Sequence, residues 1–203
     1  MGTDIWMYAE YKKNEKWYLI GEMEENIEYY PEEKENAQRY KPKEIYNIRA
    51  YDLFPILANV RNPTGRSVNN QKYEFISQPR GLPSDLSLEL QEWLKNWNDE
   101  IEYPSWLLLQ EVLGFDWEGK FMFHQAMVEP SVAHLFGNGR GKFPRQQWPK
   151  DTPVRYAVGM KDGVTVTWID SYKDSVDPHF FEVLDSLKPY GTPNDIRLVF
   201  WFN

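Results

Sequence analysis

The run Ile196–Phe202, Ile-Arg-Leu-Val-Phe-Trp-Phe, is apolar at odd and even positions alike, with Arg197 the one exception. Successive residues of a strand face opposite ways, so a run apolar on both faces predicts a central strand covered on both sides. A sheet with further layers packed on it is therefore required. A charged residue inside such a strand must be paired or must face a cavity. For Arg197 the favoured reading is an ion pair with Asp4 that fixes the sheet register. The other is an arginine in the floor of a pocket.

The remaining elements are read around that strand. Residues 5–11 and 17–20 predict a hairpin with 12–16 as its loop and Ile5, Met7 and Ala9 facing the core. Residues 22–47 are polar and glutamate-rich and read as a loop or covering segment, with room for a short helix. Asp52 can cap a helix running to Val60, with Pro55 tolerated in its first turn. Residues 61–87 hold Pro63, Gly65, Pro79, Gly81 and Pro83 and read as a long irregular section, a kind of segment that is often functional. Ser87 fits an N-cap, followed by Leu90, Trp93, Leu94 and Trp97 at helical spacing. A second helix is predicted over 105–113, stopped by Gly114. Asp162-Gly163 between 154–160 and 164–169 is a two-residue hairpin signal. Asp177-Pro178 starts a helix whose buried face is Phe180, Phe181, Leu184 and Leu187, and Pro189 and Gly191 end it. The expected class is α+β: a mostly antiparallel sheet with several short helices packed on it and long irregular loops, in one domain over 1–203.

Composition narrows the function classes. A chain that is 41% hydrophobic and 16% aromatic is too apolar to be disordered. It has no cysteine, so neither disulfides nor thiolate metal sites enter, and a reducing compartment is compatible. The N-terminal residues do not read as a secretory signal, and no apolar stretch reaches the ~20 residues that span a bilayer, so no membrane partner is expected. A net charge of −8 argues against wrapping a long nucleic acid. The charge is uneven. Residues 22–35 hold seven glutamates and one lysine, whereas 140–161 hold Arg140, Lys142, Arg145, Lys150, Arg155 and Lys161 against Asp151 alone. A local positive site on an acidic chain suits a small anion better than a polymer.

Three loops set an arginine beside glycine: Gly65-Arg66, Arg80-Gly81 within Pro79-Arg80-Gly81-Leu82-Pro83, and Gly137-Asn138-Gly139-Arg140-Gly141-Lys142. The two prolines stiffen their loop, Gly81 tolerates φ > 0, and a rigid guanidinium suits carboxylate or phosphate. Glycines also let backbone N–H groups form a nest for an anion. The third loop lacks the spacing of a P-loop, and no Ser or Thr follows Lys142. Taken singly each loop reads as solvated charge; together they shift the balance towards anion binding, with Arg66, Arg80 and Arg140 meeting in one hollow. Of the nine tryptophans and thirteen tyrosines, Trp93, Trp97, Trp106, Trp168 and Trp201 read as core. Trp148, in the basic loop 143–148, and Tyr73 sit in irregular segments and are the better ligand contacts, since aromatic faces stack on bases. The aromatic excess is also compatible with a homo-oligomeric interface.

Catalytic signatures are absent from the sequence. His124 and His134 stand ten residues apart and His179 opens a helix; none has the i,i+4 spacing of a helical zinc pair, and there is no Gly-x-Ser-x-Gly elbow. No catalytic residue, metal ligand or cofactor is assigned, and binding is favoured over catalysis.

Four pieces of the chain carry a family resemblance: Met1-Gly2-Thr3-Asp4-Ile5; Tyr51-Asp52-Leu53-Phe54-Pro55-Ile56-Leu57-Ala58-Asn59-Val60-Arg61-Asn62; Pro79-Arg80-Gly81-Leu82-Pro83; and Asp195-Ile196-Arg197-Leu198-Val199-Phe200-Trp201-Phe202-Asn203. In this order the chain resembles a widespread family of uncharacterised bacteriophage proteins. Members usually carry a His-Ser pair before the Trp-Leu of the central helix and a histidine after the opening Asp-Ile. Here those places read Tyr103-Pro104-Ser105-Trp106 and Trp6, so a histidine-based activity is not carried over. The resemblance implies a phage origin, hence the cytoplasm of an infected host, and no particular reaction. With it, the expected function is a phage accessory protein that binds and sequesters a small phosphorylated ligand, such as a nucleotide signal of host immunity. The expected contacts are Arg61, Arg66, Tyr73, Arg80, Gly81, Arg140, Lys142, Arg145 and Trp148. The alternatives are a metal-assisted phosphoesterase using His124, His134 and carboxylates, and a protein-binding inhibitor that docks through the acidic segment 22–35.

Overall fold

The sheet required by Ile196–Phe202 is present in a computed structural model of the protein, which describes residues 4–27, 38–95, 101–156 and 159–202. In chain order the elements are β1 (Ile5–Lys13), β2 (Lys16–Ile20), β3 (Met23–Glu25), β4 (Tyr40–Pro42), β5 (Tyr46–Ile48), α1 (Leu53–Ala58) and α2 (Leu88–Leu94). There follow β6 (Glu102–Leu108), α3 (Leu109–Leu113), β7 (Phe121–Val128), α4 (Pro130–Ala133), β8 (Val164–Ser171), α5 (Tyr172–Ser175), α6 (Pro178–Leu187) and β9 (Ile196–Phe202). The main sheet runs β2-β1-β9-β6, with β5 beside the start of β1, and its pairings are antiparallel. The class is α+β. Among the described residues no helix is long and apolar enough to cross a membrane.

All seven residues of β9 are buried, and the two faces serve different cores. Ile196, Leu198, Phe200 and Phe202 join Ile5, Met7 and Ala9 of β1 under α1 and α6. On the reverse, Val199 and Trp201 join Tyr8 under Leu90, Trp93 and Leu94 of α2. The period of two along β9 therefore splits one strand between two cores. A third cluster is built on a separate two-stranded ribbon, β7–β8, where Ala126, Val128, Val166 and Trp168 pack with Val132 and Phe136.

Arg197 lies on the α2 side of β9 and is buried, but its partner is not Asp4. Its Nε donates to Glu10 at 2.6 Å, directly across the β1–β9 register, and its two terminal nitrogens donate to the Asp85 carboxylate at 2.7 Å and the Asp85 carbonyl at 2.9 Å. Trp17 lies over the guanidinium at 4.1 Å, and its indole N–H donates to Asp85. Glu10 also accepts from the backbone N–H of Ser87 at 2.6 Å. Asp4 instead pairs with Arg49, which stands just after β5. The expected register lock exists, with different carboxylates.

Three further expectations are corrected. The predicted hairpin of 154–160 with 164–169 does not form: β8 pairs with β7, from Phe121↔Ser171 to Val128↔Val164. Asp162-Gly163 does make a turn, yet the segment before it is irregular apart from one bridge, Arg155 to Met127. The first half of the helix predicted over 105–113 is strand β6, because pairing with β9 overrides local preference; α3 begins at Leu109 and stops at Gly114 as predicted. Residues 22–47 carry the short strands β3, β4 and β5, with 28–37 outside the described residues, as is Trp97.

Removing one member of a buried ion pair leaves the other uncompensated. Arg197→Ala is expected to lower the unfolding free energy by about 3–5 kcal/mol, measured by urea denaturation. The double variant Arg197→Met with Glu10→Leu should lose much less, since it removes the desolvation cost together with the bonds.

Candidate functional site

The guanidinium of the Pro79–Pro83 loop is not free. Arg80 makes a two-pronged bond to Glu111, at 2.8 and 2.6 Å, and lies over Trp106 at 4.9 Å. The backbone N–H of Arg80 donates to Ser105 and that of Gly81, at φ +77°, to the carbonyl of Pro104. The stiff loop is thus stapled along β6 and onto α3. Arg80 also holds the Glu111 carboxyl below its ordinary range.

The basic loop of 137–148 is likewise tied down. Arg145 makes a two-pronged bond to buried Asp170, and Lys142 pairs with Asp174 at 2.7 Å. Trp148 packs against Phe136 and Phe143 in the ribbon core, its N–H donating to Thr152. Tyr73 is a core residue, 2% exposed, and its hydroxyl donates to Asp52 at 2.8 Å. Arg140 is exposed and forms no ion pair among the described residues. Arg66, Arg80 and Arg140 therefore do not meet as expected: neither Arg80 nor Arg140 lines either hollow that Arg66 lines. Tyr73, Arg80, Gly81, Lys142, Arg145 and Trp148 line neither of the hollows that Arg66 lines.

A different arginine group does converge. A hollow of about 660 Å³ is lined by Arg49, Tyr51, Arg61, Arg66, Arg155 and Tyr156. Its position follows from the edge of β7 that β8 leaves open. There the N–H of Gln125 donates to the carbonyl of Arg66, and Met127 exchanges both backbone bonds with Arg155. The two arginines thus sit opposite residues two apart on one strand edge, about 7 Å along it. Arg61 comes from the exit of α1. Asn59 takes φ +54° and Arg61 +52°, and Asn62 fixes this turn by bonding Asn59 and both backbone groups of Tyr73.

Asp52, expected to cap α1, makes no capping bond and turns to Tyr73 and to Arg66, at 2.7 Å from the latter. Arg66 lies against two rings, Tyr156 at 4.3 Å and Tyr51 at 5.0 Å, which fixes its plane. Burial lifts the Tyr156 hydroxyl above the ordinary tyrosine range, while Arg66 pulls it the other way. Of the four guanidiniums, Arg49 and Arg66 have the carboxylates Asp4 and Asp52. Arg61 and Arg155 have no ion-pair partner among the described residues. A hollow of this volume is on the scale of small-molecule sites. It carries two unanswered positive charges beside aromatic rings.

Sequence reading found Arg61 and Arg66 and missed Arg49, Tyr51, Arg155 and Tyr156 as a group. Arg155 was visible within the basic run of 140–161, but its place on the β7 edge depends on a strand that the reading did not identify. Among the described residues no group of three or more His, Asp or Glu could hold a metal ion. The acidic run of the docking alternative lies, from residue 28 onward, outside the described residues. No family model matches the chain, and no curated protein or solved structure gives a significant match.

His124 lies behind the site, buried on β7, stacked on Trp168 with its Nε2 2.9 Å from the Ser175 hydroxyl. Burial pushes its pKa below the ordinary 6.5; Asp52 and Asp170 oppose the shift, and Arg66 and Arg145 reinforce it. The unfolded chain binds this proton at a pH where the fold does not. Stability is therefore complete above about pH 6.5 and falls as the pH drops through and below that value. Urea midpoints at pH 7.5 and 5.5 should show this loss in the native protein, and His124→Gln should flatten it.

Proposed function

We propose that the protein binds a small phosphorylated ligand in the arginine hollow, with Arg61 and Arg155 as the principal anion contacts and Tyr51 and Tyr156 flanking them. One observation carries this reading: two of the three arginines that lack a carboxylate among the described residues line the same cavity. Guanidinium forks bind phosphate oxygens through charge-assisted bonds, and two forks on separate segments define a site for one bridging anion. Arg66 is already bonded to Asp52, so it shapes the wall and contributes field more than a new bond. The finer reading, a phage protein that sequesters a nucleotide signal of host immunity and releases it unchanged, rests on the resemblance of the four sequence pieces described above. For the metal-assisted phosphoesterase there is no corresponding cluster of ligands among the described residues.

Titration calorimetry against inorganic phosphate, pyrophosphate, cyclic dinucleotides and ADP-ribose-type nucleotides tests the reading. Binding by at least one of these is expected, and Arg155→Ala and Arg61→Ala should each weaken it about 10- to 100-fold, the scale of one hydrogen bond to a charged group. Arg80→Ala should keep the affinity, since its guanidinium serves Glu111. Equal affinity of Arg155→Ala and wild type, or no binding by any of the panel, overturns the proposal.

A further inference from the structure

We infer that the ligand has a hydroxylated, ribosyl-like end, and that this end enters a second chamber beyond Arg66, where Asp177 receives it. The inference rests on the anion-site reading above and names the class of ligand for that site. The second chamber, about 180 Å³, shares Arg49 and Arg66 with the larger hollow, so the two adjoin. A chamber of this size has room for a sugar ring.

The polar groups around this chamber are of a different kind. Asp52, Ser175 and Asp177 line it together with the shared arginines. Both oxygens of Asp52 are engaged, one by Tyr73 and the other by Arg66. The Ser175 hydroxyl donates to the Ser171 carbonyl and meets His124. Asp177 caps α6 by accepting from the N–H of His179 through Oδ1. Asp177 is exposed, and its Oδ2 has no hydrogen-bond partner among the described residues, which leaves that oxygen open to water or to a ligand hydroxyl. A carboxylate oxygen accepts from hydroxyls and repels phosphate. A molecule phosphorylated at both ends is thus disfavoured, whereas one phosphorylated at one end and bearing hydroxyls at the other satisfies both compartments. The ligand so inferred has its phosphate at Arg61 and Arg155 and its sugar beyond Arg66.

The test compares three probes by calorimetry: pyrophosphate, ribose 5-phosphate and 2-deoxyribose 5-phosphate. Ribose 5-phosphate is expected to bind about tenfold more tightly than its deoxy counterpart. Asp177→Ser keeps a capping oxygen for α6 while removing the free one, and thermal melting checks that it folds. In this variant the preference for ribose should disappear, and pyrophosphate should bind more tightly than in the native protein. If pyrophosphate binds and Arg155→Ala weakens it, yet the two sugar phosphates bind equally, the ribosyl inference is wrong and the anion site stands. If none of the three binds while a nucleotide of the wider panel does, the ribosyl inference is wrong and the anion site stands; if that whole panel fails as well, both fall.

Discussion

A charge inside a doubly covered strand is the constraint on which the rest of this fold depends. Burying Arg197 and Glu10 costs several kcal/mol per ion, and Coulomb attraction alone does not reliably return it. The remedy here is complete coordination. Glu10 sits across the register, Asp85 supplies a carboxylate and a carbonyl, and Trp17 covers the guanidinium. Each partner belongs to a different segment, so satisfying one arginine ties β1, β2 and the 82–87 stretch to β9. The irregular section before α2 ends at a fixed place because Asp85 and the N–H of Ser87 are both held there.

The same logic explains the Pro79–Pro83 loop. Its stiffness and its glycine were legible in the sequence, as was the presence of one oriented guanidinium. What it is oriented towards was not, since Glu111 becomes its neighbour only through the pairing of β6 with β9. Rigid presentation of an arginine is equally useful to a ligand and to an internal carboxylate. On an acidic chain the internal carboxylate is the commoner partner: Arg39, Arg49, Arg66, Arg80, Arg145 and Arg197 are all paired.

Legibility in the sequence tracked how local the determining interaction is. The central strand, the β1–β2 hairpin and the capped α6 were readable, because alternation, turn residues and Asp177-Pro178 act over a few residues. The 105–113 segment misled, since Ser105, Trp106 and Leu107 lie in a strand whose partner is some ninety residues away, whereas Leu109 and Val112 keep their helical spacing. The hairpin signal at Asp162-Gly163 is a real turn, but the alternation of Met122, His124, Ala126 and Val128 gives β8 a better partner than 154–160 could offer. The candidate site suffered most. Arg66 and Arg155 are 89 positions apart in sequence and become neighbours only because both segments dock on the same edge of β7.

That docking also explains why unpaired arginines persist at this place. The hollow lies where segments of the main core, 49–51 and 61–66, face the 154–156 segment carried by the β7–β8 ribbon. The seam is lined partly by residues packed on those cores, Tyr51 on one and Val154 and Tyr156 on the other, and otherwise by polar side chains. A carboxylate placed there would quench Arg61 and Arg155, as Asp52 and Asp4 do for their neighbours, at no cost to either core. Among the described residues its absence from the lining leaves Arg61 and Arg155 without a carboxylate, exposed to solvent beside Tyr51 and Tyr156. Exposed guanidiniums without a carboxylate are hydrated in the free protein, and under the proposal above an anion displaces that water. An anion from solution is the partner that the lining itself leaves out.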